Sequence, residues 1–177
     1  MTEHLLNSSD LRVYSLQQAI KESILLSNFK CEEEFFTNYL TNEASLDDRN
    51  NIGRLIIFTT LEKEIVGFVT VAMSEVARFQ HKQLQTVTRT QNYVPGLLLG
   101  HMARHIEYKK RGVGILMRDW VINHALELSK SVGCRLVILQ AFNELVAKIY
   151  EDWGFVRVDD FDETGRHRMF IDLAWRQ

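Results

Sequence analysis

The sequence predicts a single α/β domain over residues 1–177, with a mixed β-sheet built around a central βαβ unit. Three observations predict it. Arg135–Ala141 (RLVILQA) is an almost continuous apolar run, the pattern of a strand covered on both faces. A long stretch of helical periodicity separates this run from the strand-like Leu97–Ile106, so the two strands are expected to be parallel with a right-handed crossover. The remaining β-rich runs are joined by polar breaks, which favours antiparallel neighbours and makes the sheet mixed.

Each element follows from its residues. Leu11–Tyr14 reads as a short first strand. Leu16, Ala19, Ile20 and Ile24 share one face at helical spacing, predicting a helix over Leu16–Ser27. Phe35, Phe36, Tyr39, Leu40 and Ala44 form the stripe of a second helix over Glu32–Leu46, with acidic residues in its first turn that suit the helix dipole. Arg54–Thr60 and Ile65–Val76 are β-rich and flank the polar break Leu61–Glu64, which predicts a long-armed hairpin. Ala77–Gly96 is a long connection that places Arg78, Lys82 and Arg89 among the aromatics Phe79 and Tyr93; loops of this length inside a compact domain are often functional. The central helix opens at Arg111 or Gly112 and runs to about Val132, with Gly133 as its stop. Asn143 is placed to cap a helix that runs to Trp153 and ends at Gly154. Phe155–Val158 and Met169–Leu173 close the chain as two strands around a polar turn.

Composition narrows the function classes. The chain is 46% hydrophobic and 25% charged, an ordinary globular profile, and it contains one Pro, which leaves no Pro-rich linker to divide it. No apolar run reaches the roughly 20 residues of a membrane span, and the N-terminus lacks a signal-peptide pattern. Cys31 and Cys134 fit no zinc or redox spacing and read as reduced thiols of a cytoplasmic protein. A net charge of −2 argues against a dedicated nucleic-acid binder. His101 and His105 fall on a predicted strand, where four residues span roughly 13 Å, too far to share one metal ion, and no metal site is expected.

The strongest local signal is Lys109-Lys110-Arg111-Gly112-Val113-Gly114, set between a strand and a helix. A helix start carries unpaired N–H groups and about half a positive charge. Glycine lets the backbone approach a phosphate, and the three cations add full charge, so the segment suits a pyrophosphate. Packing of the first helical turn accounts for glycines there equally well. Neither a Walker A loop nor a dinucleotide fingerprint is present.

At this motif the sequence resembles the GNAT family of acyl-CoA N-acyltransferases, whose signature is [Q/R]-x-x-G-x-[G/A]. Both glycines fit, and Lys109 replaces the first Gln or Arg, keeping charge without the planar fork. Ala141-Phe142-Asn143-Glu144 and Tyr150-x-x-x-Gly154-Phe155 are similar to the family's second cofactor segment. The resemblance covers Leu55 to the C-terminus and implies a GNAT-like sheet with helices on both faces. It also implies acetyl-CoA as co-substrate, held by Lys109, Lys110, Arg111, Gly112, Val113, Gly114 and Asn143. Main-chain donors around Met102, Ala103 and Arg104 are implied for the acyl oxygen, and Tyr150 as the acid that protonates the leaving thiolate. For the base, Glu75 at the end of the hairpin is only a candidate.

Phe29-Lys30-Cys31-Glu32 through Leu40, Val66–Thr70 and Leu99–Ala103 resemble a narrower subgroup, the toxins of toxin–antitoxin pairs that acetylate aminoacyl-tRNA. Such toxins are usually basic, and an apolar residue is usual where Arg104 stands. The implied activity is therefore transfer of an acetyl group to a primary amine of a small molecule, a peptide or aminoacyl-tRNA. In the toxin reading an antitoxin protein is the partner. A non-catalytic acyl-CoA-binding domain is the remaining alternative. Dimers are common in the family, and the sequence carries no interface signal for a homodimer.

Overall fold

The computed structural model of the chain describes residues 5–158 and 164–176. Its strands are β1 (Leu11–Ser15), β2 (Arg54–Thr60), β3 (Ile65–Ala77), β4 (Tyr93–Arg104), β5 (Leu136–Ala141), β6 (Val156–Arg157) and β7 (His167–Asp172). Its helices are α1 (Leu16–Lys21), α2 (Glu34–Asn38), α3 (Ala44–Arg49), α4 (Val113–Leu128) and α5 (Glu144–Asp152). Hydrogen-bonded neighbours run in the order β1-β2-β3-β4-β5-β7-β6. β4 and β5 pair in parallel, Gly96 opposite Leu136 through Leu99 opposite Leu139, as the βαβ expectation requires. The β1–β2, β2–β3, β5–β7 and β6–β7 pairs are antiparallel, so the sheet is mixed. Among the described residues no helix is long and apolar enough to cross a membrane.

The described residues fall into two compact units. The first takes the chain up to Ala72 together with Gly100–Trp120. Alternation along β2 and β3 sorts its side chains onto two faces. Leu55, Ile57 and Phe68 pack with Leu16, Ala19, Leu40 and Ala44 of α1, α3 and the turn between α2 and α3. On the opposite face Trp120 meets Phe58 edge-on, with ring centroids 5.8 Å apart. Gly67 permits this seating of α4: a Cβ there would lie 2.7 Å from Met117 Sδ and 2.8 Å from the Ala103 carbonyl oxygen. Helices thus cover both faces of this unit. The second unit takes Met73–Leu99 and the chain from Val121 onward. Its core joins Val76, Leu84, Val94, Leu136, Ile138, Val158 and Phe170.

Several boundaries differ from the sequence reading. The first helix ends at Lys21 because Glu22 closes it and Ser23 turns left-handed, at φ 56°. The second helix begins at Glu34 and runs on to Arg49. Its middle, Tyr39–Glu43, widens to a π turn in which the Ala44 N–H donates to the Tyr39 carbonyl. The strand predicted over Leu97–Ile106 begins earlier, at Tyr93, and stops at Arg104. α4 ends at Leu128, where the hydroxyls of Ser129 and Ser131 donate to the Leu126 and Leu128 carbonyls and satisfy the helix end. Gly133 is therefore no left-handed stop, whereas Gly154 is one, at φ 90°. The polar turn expected between the last two strands lies partly outside the described residues, at 159–163.

Candidate active site

In the first unit β4 leads into the glycine motif. Before the motif, His101 on β4 donates its N–H to Thr70 Oγ1 at 2.8 Å, and its Nδ1 lies 3.1 Å from the same oxygen. Its ring stacks on Tyr39 of the π turn at 4.1 Å, and burial lowers its pKa, so the imidazole is neutral at pH 7. Ala103 is buried in the core against α1–α3, which leaves its main chain as the part able to act on a ligand.

After Arg104 the chain makes one 3-10 turn over Ile106–Tyr108, capped by the His105 side chain. Lys110 and Gly112 then both adopt left-handed backbone, at φ 60° and φ 80°, and α4 starts at Val113. The positive φ is the local reason for glycine at 112, since a Cβ there would meet nothing closer than 3.8 Å. The Gly112 carbonyl accepts the N–H groups of Ile115 and Leu116. The N–H groups of Val113 and Gly114 precede these first helical bonds and carry the positive end of the dipole.

Three fastenings hold this loop. The Leu6 N–H donates to the Arg111 carbonyl at 3.0 Å. The Arg111 guanidinium lies over the Tyr108 ring at 4.9 Å, and the Tyr108 hydroxyl donates to Glu64 at 2.8 Å. Glu32 takes Arg104 at 2.7 Å and Lys109 at 2.5 Å, and the Lys109 hydrogen bond is the main cause that holds its carboxyl below the usual range. Lys109 is thus engaged by a carboxylate, while among the described residues the exposed Lys110 ammonium has no such partner. The departure at Arg104 has the same explanation: it is a charged brace to Glu32 and to the His105 and Ile106 carbonyls. Nothing in the residue spacing signals Glu32, Glu64 or Leu6, because each pairing joins segments far apart in sequence.

The second unit holds Asn143 and Tyr150. Asn143 caps α5, its Oδ1 accepting the Val146 N–H at 2.9 Å, which leaves its Nδ2 available as a donor. Tyr150 sits in the last turn of α5. The Gly154 reversal brings the Phe155 N–H to the Tyr150 carbonyl at 2.9 Å. The Tyr150 ring is held edge-to-face by Trp153 at 5.4 Å and Phe155 at 5.5 Å. Its hydroxyl has no hydrogen-bond partner among the described residues, and burial pushes its pKa up to about 12. The phenol is therefore protonated at neutral pH and able to act only as an acid.

The sequence matches no protein-family model and no curated protein. Solved structures match its fold along nearly the whole chain. AtaT complexed with acetyl-methionyl-tRNAfMet is 23% identical, with 94% of this chain and 97% of that chain covered at a TM-score of 0.81. A tyrosine-to-phenylalanine mutant of the AtaT toxin, bound to the C-terminus of the antitoxin AtaR and acetyl-CoA, is 22% identical, with 94% and 95% covered at 0.74. A tyrosine-to-phenylalanine mutant of KacT is 20% identical, with 94% and 96% covered at 0.81. The chain therefore has the fold of these proteins, the mixed sheet that the GNAT resemblance implied.

Proposed function

We propose that this protein is an acetyl-CoA-dependent N-acetyltransferase acting on the α-amino group of aminoacyl-tRNA. In this reading residues 1–177 are one catalytic domain that works in the cytoplasm as a toxin, with an antitoxin protein as its inhibitor. The observation that carries the reading is the likeness to AtaT, which has been captured with acetyl-methionyl-tRNAfMet and, in a second structure, with AtaR and acetyl-CoA. The residues on this chain fit that chemistry. Lys110, Gly112 and the first turn of α4 offer a pyrophosphate main-chain donors, a dipole and a full positive charge.

Each residue then has a task. The N–H groups of Val113 and Gly114 hold the phosphates, with Lys110 as counter-charge. The β4–β5 ladder stops at Leu99, and the main chain of Met102–Arg104 beyond it serves the acyl carbonyl. Its N–H groups stabilise negative charge on the carbonyl oxygen as the amine adds. The new C–N bond forms, the C–S bond breaks, and Tyr150 gives its phenolic proton to the departing sulfur. The amine's own proton leaves to solvent. Asn143 Nδ2 donates to the pantetheine arm.

Radiolabelled acetyl-CoA incubated with the protein and charged tRNA tests this directly. Mild base should release the label as an N-acetyl amino acid, and Tyr150→Phe should slow its formation by about 10²–10⁴-fold. In cells, the wild type should halt growth and Tyr150→Phe should relieve the arrest. Label that passes only to small amines would replace the tRNA reading with a metabolic one. Acetyl-CoA binding without turnover would leave a non-catalytic acyl-CoA-binding domain.

A further inference from the structure

The long connection between β3 and β4 has no task in that mechanism, and its chemistry is unlike the rest of the chain. Residues 78–93 contain Arg78, Lys82 and Arg89 and no carboxylate, whereas the whole protein has a net charge of −2. The segment is built rather than loose. Arg78 Nη1 donates to the Thr88 carbonyl at 2.9 Å, the Arg78 N–H donates to the Asn92 carbonyl at 2.9 Å, and Leu84 is fully buried in the second unit's core. Lys82 and Arg89 are left on its surface.

At the base of this segment lies a wide, open depression of about 740 Å³, lined by residues of the second unit. Its apolar wall is Met73, Phe79, Tyr93 and Pro95. Phe79 is 71% exposed, Tyr93 52% and Met73 53%, so both rings are open to a stacking partner. Arg168 of β7 reaches the same depression, tied in place by donating to Ser74 Oγ and the Glu75 carbonyl. Among the described residues Glu75 is the one acid on the wall.

Exposed rings beside a fixed guanidinium, next to a segment whose cations have no ion-paired carboxylate among the described residues, match what unpaired RNA requires. Bases stack on aromatic faces and on arginine planes, and the sugar–phosphate chain follows the cations. The volume lies in the roughly 300–1,000 Å³ range of small-ligand pockets, enough for a nucleotide. We infer that Phe79 and Tyr93, with Arg168, form a stacking platform for an unpaired nucleotide of the substrate's acceptor end, and that Lys82 and Arg89 neutralise its phosphates. This deepens the proposed function and rests on it for the identity of the RNA.

The test is fluorescence anisotropy with an end-labelled RNA tetranucleotide ACCA, with neither acetyl-CoA nor amino acid present. The wild type should bind it, more weakly as salt rises. The double variant Phe79→Ala/Tyr93→Ala should lose about tenfold or more, while Tyr93→Phe, which keeps the ring, should bind as the wild type does. Both rings are exposed, so a thermal melt should find the double variant folded. The same variant should raise KM for aminoacyl-tRNA by a similar factor. Equal RNA binding by wild type and double variant, or none by the wild type, overturns the platform. A double variant that alters only self-association in sedimentation also overturns it and assigns the face to a second copy of the chain. RNA binding that depends on the two rings, without acetylation of any aminoacyl-tRNA, keeps the platform and removes the functional reading. Acetylation with an unchanged KM in the double variant does the reverse.

Discussion

The glycine loop in the first unit and the Tyr150 turn in the second are each a helix end with a left-handed glycine, yet they are specified in different ways. In the proposed mechanism the loop acts through its main chain: Lys110 and Gly112 set the path, and the side chains around them fasten it. In the proposed mechanism the turn acts through one side chain: Gly154 reverses the chain so that Phe155 and Trp153 clamp a single ring. A main-chain site tolerates changes of side chain that preserve φ. A side-chain site tolerates nothing at the reacting atom and a good deal around it.

Removing the Tyr150 hydroxyl should give the largest effect. Tyr150→Phe is expected to lower kcat by about 10²–10⁴-fold with acetyl-CoA affinity unchanged, since the ring and its clamp remain. With the phenol pKa raised from 10.0 to about 12, the acid form persists above the pH at which an ordinary tyrosine is half ionised. A pH–rate profile should therefore show no basic-side fall near pH 10 that Tyr150→Phe removes. Such a fall would mean that the hydroxyl is solvated like a surface tyrosine.

Gly112→Ala sharpens the other half of the comparison. It adds no charge, but an L side chain at φ 80° costs about 1–2 kcal/mol, so acetyl-CoA affinity should drop about tenfold while kcat at saturation holds. An unchanged affinity would leave the glycine serving the loop's own left-handed path and not the phosphates.

Asn143 lies between the two kinds of site. Asn143→Ala should lose the α5 cap and about 1 kcal/mol of stability, read as a lower Tm. Asn143→Asp keeps the capping oxygen and removes the Nδ2 donor. It should retain the Tm and weaken acetyl-CoA binding; full affinity would leave Asn143 a cap alone.

The smallest effect is expected at Glu32. Glu32→Gln releases Lys109 and Arg104, and acetyl-CoA should bind about two- to fivefold more tightly at low salt, a gain that vanishes as salt rises. A weaker affinity would show that the ion pair positions the loop more than it competes with the phosphates.

The two regions also explain what was legible in the sequence. Gly112, Gly154 and Asn143 stand where local backbone demands leave a residue-type mark, and these positions were readable with no fold in hand. The buried strand β5 and its parallel partner were readable from an apolar run and a crossover helix. Glu32–Lys109 and Tyr108–Glu64 were not, because a surface carboxylate has the same local pattern whether or not a cation arrives from a distant segment. The acidic run at Glu32 read as a dipole partner for its own helix, whereas its first residue braces another segment. The π turn was missed for a related reason. Its apolar stripe fits an ordinary helix, and the partners of Tyr39 in the turn, the His101 ring and the Asp47 carboxylate, leave no mark in that stripe.

Isothermal titration of acetyl-CoA into the wild type and into Gly112→Glu tests the central claim most directly. The substituted carboxylate would stand at the start of α4, in strained backbone and against the dipole that favours an anion. The account predicts saturable binding of one acetyl-CoA per chain by the wild type and none by a variant that melts as a folded protein. Absence of binding by the wild type, or equal binding by both, would contradict it.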